Sequence, residues 1–357
     1  MRCTAPLIVG GGPAGAAAAI NLLRSGVQPT LIERQDRTHD ALCGGFLSWR
    51  TLQRLEDLGL DAKSLGGHEI IALHLFTRNR SHRLRFPARA MALSRKRLDR
   101  HLLDRVQQMG GLIRHGEASY EGGRIRLGDG EMPDFDSLFL ATGKHDLRGL
   151  ARPRNAAGED PCLGLRLRLA PSDRLSALLS DQIEMHLFDG GYLGIAMQED
   201  GSVNFCMAVR KSRLAAAGGQ PDALFAQLAQ DSAYLADRLT GMPTCPDIDA
   251  IAHIPYGWRA ITTQTGIFRL GDQAGVIASL AGEGLGVALA SAERAVEYWR
   301  QGGRTAAPAY QHAFARQLRR PLAASGMVAA LGRYPALISL LAGIPGAVGL
   351  IARLTRV

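Results

Sequence analysis

Short apolar runs alternate with glycine-rich breaks through the first part of the chain. Pro6-Leu7-Ile8-Val9 is a continuous apolar run and predicts a short buried strand. The alanine-rich segment from Ala16 to Leu23 predicts a helix, closed by Gly26, and Thr30-Leu31-Ile32 predicts the next strand. Residues 69–86 alternate as two strands, with Ile70, Ala72, His74 and Phe76 on one and His82, Leu84 and Phe86 on the other. Further strands are predicted at Leu163–Leu169, Ile183–Leu187, Tyr192–Ala196, Val203–Val209 and Ile248–Ile254. Helical segments at Pro221–Gln230 and Ser232–Thr240 fall among them. Ile267–Leu270 reads as a strand, Val287–Trp299 as a long amphipathic helix, and Ala309–Leu331 as a helix broken or kinked at Pro321. The order predicts an α/β chain: a Rossmann-type nucleotide domain, an inserted mixed β-sheet domain and a C-terminal helical segment.

The first break carries chemistry. Gly10-Gly11-Gly12-Pro13-Ala14-Gly15 is G-x-G-x-x-G between a strand and a helix, and Glu33 ends the following strand. Gly10 permits the tight turn, Gly12 lets a pyrophosphate approach the backbone, and Gly15 allows close helix–strand packing. The helix N-terminus offers free N–H groups and its positive dipole end to phosphate. Glu33 is placed to accept hydrogen bonds from ribose hydroxyls.

A second strand–loop–helix unit lies far downstream. Ile267–Leu270 runs into Gly271-Asp272-Gln273-Ala274-Gly275, and Gly282-Glu283-Gly284-Leu285-Gly286 opens the next helix. A nicotinamide dinucleotide needs only the first unit. The second suits a cofactor with a ribityl chain, whose hydroxyls Asp272 would hold while the helix near Gly284 faces the flavin. The two units together predict FAD.

The chain resembles FAD-dependent oxidoreductases of the p-hydroxybenzoate hydroxylase fold, and within them the geranylgeranyl reductase-like branch. Four segments carry the resemblance: Gly10–Gly15 with Glu33-Arg34; Cys43-Gly44-Gly45-Phe46-Leu47-Ser48; Leu93-Ser94-Arg95 with Leu98-Asp99 and Leu102-Leu103; and Gly271-Asp272 through Gly284. It implies an FAD-binding domain over 1–68, 91–150 and 256–300, a substrate domain over 69–90 and 151–255, and a helical segment over 301–357. It implies Arg95 near the FAD phosphates, although the residue also reads as a solvated helix-start arginine. The cofactor set is then Gly10, Gly12, Pro13, Ala14, Gly15, Glu33, Arg34, Cys43, Gly44, Arg95, Gly271, Asp272, Gly282, Gly284, Leu285 and Gly286. Cys43 reads two ways, as a small residue at a glycine-rich turn or as a thiol able to donate a proton beside the flavin. Tyr256 is a second catalytic candidate, and Tyr192 and His253 are candidates for the substrate pocket between the domains.

The family pattern is altered in three places. Thr142 and Asp146 stand where the hydroxylases carry the aspartate and serine of A-D-G-x-x-S-x-x-R, residues associated with nicotinamide handling. The electron donor is therefore open, NAD(P)H or another reductant. Ser279 stands where the hydroxylases have proline, and Ala281 where they have threonine. Gly191–Met197 lacks the Trp and Pro of the reductases' aromatic substrate motif. The expectation is reduction of a C=C bond in a hydrophobic isoprenoid, polyketide or lipid-like molecule. An aromatic or polyketide monooxygenase, or a flavin- or lipid-binding protein without turnover, are the alternatives.

Charge adds one point. The chain has 357 residues and a formal net charge of +9, yet no acidic residue follows Glu297. Arg300, Arg304, Arg316, Arg319, Arg320, Arg333, Arg353 and Arg356 fall in that stretch, so the body is nearly neutral. Basic residues are not interleaved with aromatics over the body, which argues against a nucleic-acid partner. Pro335–Ala352 is uncharged and carries two prolines, so a helical cap or peripheral membrane contact is expected there rather than a span. The five scattered cysteines make no C-x-x-C pair, and the N-terminus lacks a signal-peptide pattern. A cytoplasmic protein, free or membrane-associated, with no metal site is the expectation.

Overall fold

The computed structural model describes residues 6–36, 38–77, 80–243, 246–331 and 354–356. The strands in chain order are β1 (Leu7–Val9), β2 (Thr30–Glu33), β3 (Phe46–Leu47), β4 (His68–Phe76) and β5 (Ser81–Ala92). They continue with β6 (Leu112–His115), β7 (Ala118–Glu121), β8 (Arg124–Leu127), β9 (Leu138–Leu140) and β10 (Cys162–Leu169). The last five are β11 (Gln182–Phe188), β12 (Gly191–Met197), β13 (Val203–Arg210), β14 (Ile248–Ile254) and β15 (Ile267–Arg269).

Two sheets organise the molecule. The first is wholly parallel, in the order β15-β9-β1-β2-β6. Two of its three inner strands are all apolar, Leu7-Ile8-Val9 and Leu138-Phe139-Leu140, and all six residues are buried. That is the composition of a parallel sheet covered on both faces. One cover is the helix Pro13–Arg24, whose Ala16–Ala19 are fully buried, packed on the helix Gly284–Gly302. Small side chains allow the two helices to sit close above the carboxyl ends of the strands.

The second sheet is mixed, in the order β14-β10-β13-β12-β11-β4-β5-β3. Its strands alternate. Leu165, Leu167, Leu193, Ile195 and Phe205 point into a core under the helices Pro221–Asp231 and Ala233–Arg238. The intervening Gly164, Arg166, Tyr192 and Cys206 face a cavity shared with the first sheet. The period of two thus separates a packing face from a binding face.

The helix Ala307–Leu331 is not broken at Pro321, which lies inside it. It is held by stacked aromatics, Phe139–Phe268 at 4.9 Å, Phe268–Tyr310 at 5.7 Å and Tyr310–Phe314 at 5.8 Å. The Tyr310 hydroxyl also donates to the Arg269 carbonyl at 2.9 Å. Arg300, Arg304, Arg316, Arg319 and Arg320 are exposed. Pro335–Ala352, with Arg333 and Arg353, lies outside the described residues. Arg356 is bound to the body: its Nε donates to Glu283 Oε1 at 2.8 Å, and its guanidinium lies 3.5 Å from the Trp49 ring centroid. No helix among the described residues is long and apolar enough to cross a membrane.

A buried ionic cluster secures the outer face of the second sheet. Arg238 donates to both Glu184 oxygens, at 2.9 and 2.7 Å, and His186 Nε2 lies 3.0 Å from the same carboxylate. Burial raises the Glu184 pKa, but the hydrogen bonds from His186 and Arg238 outweigh it and hold the group ionised. Burial lowers the His186 pKa, and its Nδ1 has no partner, as suits a neutral ring. Removing one member of such a cluster leaves a buried charge. Arg238→Ala is therefore expected to cost about 3–5 kcal/mol in denaturant unfolding. Acid is expected to act in the same direction. The unfolded chain takes up protons near the ordinary values of 6.5 for the histidine and 4.5 for the carboxylate, and the folded cluster resists both. Thermal melts should show stability falling as pH drops below about 6.5, and less steeply in a His186→Gln variant.

Candidate active site

The glycine fingerprint is built by backbone proximity. Gly10 follows β1 with φ +105°, and a Cβ there would lie 2.4 Å from the Ala141 carbonyl oxygen. A Cβ on Gly15 would lie 1.9 Å from the Gly10 carbonyl oxygen. Gly12 is the N-cap of the helix Pro13–Arg24, and a Cβ there would reach only Arg95 Nη2, at 3.4 Å. The space over the helix N-terminus is therefore open on one side and bounded by a guanidinium. Glu33 Oε2 accepts the Gly11 N–H at 2.6 Å and Oε1 accepts the Gln35 N–H at 3.1 Å, fixing the acid beside the turn. Arg34 lines the cavity with it.

Arg95 opens the helix Arg95–Gln108 and donates to both oxygens of Asp99, at 2.9 and 2.8 Å. Burial works against its charge, but the Asp99 carboxylate prevails and the guanidinium stays protonated. The structure thus places Arg95 inside the cavity wall rather than in solvent.

The second glycine unit faces the first across the cavity. Gly271 has φ +54°, and its N–H donates to Ser291 Oγ at 2.8 Å. Asp272 lines the cavity next to it. Gly282 has φ +67°, and a Cβ there would lie 2.8 Å from the Phe46 ring. Gly284 opens the helix Gly284–Gly302 with nothing within 4 Å of its ideal Cβ, and Leu285 lines the wall beside it. Gly286 is not in the wall; its bare Cα leaves room for Glu283, whose carboxylate a Cβ would approach to 2.7 Å.

Two residues missed in the sequence tie these loops together. The buried Gln273 Nε2 donates to the carbonyls of Gly143 and His145, at 2.9 and 3.0 Å. Arg152 donates to Asp146 at 2.8 Å, to the Asp272 carbonyl at 3.3 Å, and to the Lys144 carbonyl. Asp146, which departs from the hydroxylase pattern, is therefore a structural anchor for Arg152. The departure itself was the available signal.

One cavity of about 1120 Å³ joins the parts. It exceeds an ordinary small-ligand pocket and spans both glycine units. Bare backbone, a helix N-terminus and the Arg95 charge form one end. Asp272 and the N-terminus of a second helix form the other. An elongated dinucleotide with a polyhydroxyl linker fits this donor set, so the residues present fit FAD.

The far wall is the second sheet. Cys43 Sγ accepts the Gly45 N–H at 3.4 Å, and the Cys43 carbonyl accepts from Asn204 Nδ2 at 3.0 Å. Gly44 lines the cavity beside it. Burial pushes the Cys206 thiol up to about 12. Arg166 is buried and donates to Asp40 at 2.8 Å and to Asp249 at 2.9 and 2.6 Å. Tyr192 and Tyr256 both hydrogen-bond Ser279 Oγ. Cys206 and Arg166 lie far in sequence from the glycine motifs, whereas Ser279 sits inside the second one and its departure from the hydroxylase proline was the available signal. The structure does not place His253 in the site. It is exposed on the edge strand β14, with φ +57°, and is absent from the cavity wall. The neighbours Ile251 and Ile254 take the inward positions instead. Among the described residues no group of His, Cys, Asp and Glu could hold a metal ion.

Comparison with known proteins agrees with this geometry. Residues 3–122 match the family model of the FAD binding domain. A menaquinone reductase from Mycolicibacterium smegmatis is 25% identical over 331 residues, covering 84% of this chain and 77% of that protein. A solved structure of QhpG, a peptidyl tryptophan dihydroxylase essential for tryptophylquinone cofactor biogenesis, superposes with TM-score 0.71 at 22% identity, over 93% of this chain and 76% of its own. A geranylgeranyl bacteriochlorophyll reductase-like protein from Thermoplasma acidophilum gives TM-score 0.72 at 18% identity, over 99% and 93%. The fold and site define a class: the chain is an FAD-dependent oxidoreductase with the p-hydroxybenzoate hydroxylase fold.

Three substitutions separate cofactor contacts from scaffold. Gly12→Val should fold, because its side chain enters open space, but should lose flavin absorbance. Asp272→Ala should fold and bind FAD more weakly, by about tenfold or more for a lost charge-assisted hydrogen bond. Gly15→Ala should fail to accumulate as folded protein, since its methyl would meet a backbone oxygen. Flavin absorbance of the purified proteins and titration of apoprotein with FAD check all three.

Proposed function

We propose that this protein reduces a carbon–carbon double bond in a hydrophobic isoprenoid, polyketide or lipid-like molecule. The observation that carries the reading is the Cys43 thiol, held by the Gly45 N–H at 3.4 Å in the wall of the cavity that also contains both glycine units. When bound and reduced, FAD supplies a hydride. The chain must then provide a proton to the second carbon and keep water out.

Cys43 is suited to give that proton from Sγ. The thiolate it would leave lies within electrostatic reach of the buried Arg95. A proton from solvent at the cavity mouth would restore the thiol. Cys206 is less suited, because burial holds its proton to about 12. The carboxylates of this wall, Asp40 and Asp249, are committed to Arg166. Ile254, Val276 and Ile277 supply apolar surface for the substrate. The name of the menaquinone reductase relative is consistent with a reductive role.

Monooxygenation of an aromatic or polyketide substrate is the second reading. Its support is the hydroxyl-bearing wall of Tyr192, Ser279 and Tyr256, which suits an oxygenated ring.

The test is turnover by photoreduced holoprotein against menaquinone and a panel of polyprenyl and polyketide compounds. Gain of two hydrogens without oxygen is the expected product, and incorporation of an oxygen atom would overturn the reductase reading. Cys43→Ser should retain full flavin occupancy and lose about a hundredfold or more in rate. An unchanged rate would remove Cys43 from the chemistry.

A further inference from the structure

Three hydroxyls meet at one point of the cavity wall. Tyr192 comes from β12, Tyr256 from the loop after β14, and Ser279 from the turn between Asp272 and Gly284. Tyr192 Oη donates to Ser279 Oγ, and Tyr256 Oη lies 2.5 Å from the same oxygen. All three residues line the cavity, and Ser279 is exposed to it.

The protons can be counted. Each hydroxyl carries one proton and two acceptor lone pairs. Burial raises both phenol pKa values, so neither tyrosine gives up its proton near neutral pH. Two hydrogen bonds use two of the three protons. One O–H remains, on Ser279 or relayed to Tyr256. Among the described residues no protein acceptor takes it. That O–H opens on the cavity, where an acceptor atom on a ligand can take it in place of water.

The surroundings define that acceptor. The adjacent wall is apolar, with Ile254, Val276 and Ile277. The ionised group that acts on Tyr256 is an acid, Asp272, which adds to its raised pKa. Of the wall's cations, Arg166 is paired with Asp40 and Asp249, and Lys144 Nζ donates to the Leu42 carbonyl at 3.0 Å. An anionic oxygen beside Tyr256 would face the Asp272 carboxylate, whereas a neutral oxygen would not be repelled.

We propose that Tyr192, Ser279 and Tyr256 form a binding site for one neutral carbonyl oxygen, so that the substrate is an apolar quinone or unsaturated ketone. This rests on the reading that the inner end of the cavity takes the substrate whose double bond is reduced. A hydrogen bond to that oxygen would orient the molecule. Where the double bond is conjugated to the carbonyl, it would also draw electron density from the carbon that accepts hydride.

The test uses oxidised holoprotein and no turnover. The probes are 2,3-dimethyl-1,4-naphthoquinone, whose blocked ring carbons resist addition of Cys43 or Cys206, and 2,3-dimethylnaphthalene, which has the same shape without oxygen. Flavin absorbance changes report binding. The quinone should bind about fivefold more tightly, the effect of one neutral hydrogen bond. Its carbonyl stretch should move to lower frequency on binding, as read by isotope-edited infrared difference spectra. The variant carrying Tyr192→Phe, Ser279→Ala and Tyr256→Phe removes the hydroxyls alone, and should abolish both the preference and the shift while keeping FAD. Equal binding of the two probes to the wild-type protein, or an unshifted carbonyl band, would overturn the proposal even if the variant fails to fold. A preference and shift that survive in the folded variant would do the same. The outcome is separable from the reductase reading: oxygen insertion in turnover sinks that reading and leaves the probe preference intact. Saturation of a substrate with equal probe affinities does the reverse.

Discussion

Everything at this site depends on a backbone contact too close for side chains. The Gly10 carbonyl, the Cα of Gly15 and the Ala141 carbonyl approach so tightly that a methyl at either glycine would overlap a backbone oxygen. That approach lays the helix Pro13–Arg24 against the carboxyl ends of β1 and β9. It leaves the helix N-terminus pointing into space instead of protein. The all-alanine face of the helix carries the same constraint further, because only small residues let the helix Gly284–Gly302 close over it. Both helix N-termini consequently open on one cavity, the geometry in which dipoles and free N–H groups can serve an anionic ligand.

The rest of the architecture sets a second surface opposite that edge. The mixed sheet must bury one face under its own helices, and its strict alternation does so. What remains is a face of small and polar residues, among them Gly164, Arg166, Tyr192 and Cys206. The active site is the gap between a sheet edge and a sheet face. Arg152 and Gln273 keep that gap in register by tying the loop after β9 to the turn after β15. Each bridges segments more than a hundred residues apart in sequence.

This explains what could be read from the sequence and what could not. Gly10, Gly12, Gly15 and Glu33 act through local backbone geometry, so their spacing exposes them. The strands of the mixed sheet are legible for the same reason, since alternation is a local property. Arg152 and Gln273 act through partners distant in sequence, and no spacing rule marks them. His253 shows the opposite failure. It follows the right strand in the right region, but a left-handed backbone at the sheet edge turns it outward while Ile254 turns in. Pro321 is a third case: proline removes a helical N–H, yet Ala307–Leu331 is one helix with Pro321 inside it.

Charge is distributed unevenly along the cavity. At the cofactor end, Arg95 keeps its charge because Asp99 offsets burial, and the backbone donors add to it. At the far wall, Arg166 sits between Asp40 and Asp249, and Lys144 Nζ donates to the Leu42 carbonyl. The Arg95 end thus suits the phosphates of an anionic dinucleotide. The chain's excess of positive charge plays no part in this division. Among the described residues of that stretch, Arg300, Arg304, Arg316, Arg319 and Arg320 are exposed, and Arg356 is paired with Glu283. The net charge of the protein and the chemistry of its cavity are therefore independent quantities, and only the local pairing of each arginine connects sequence to site.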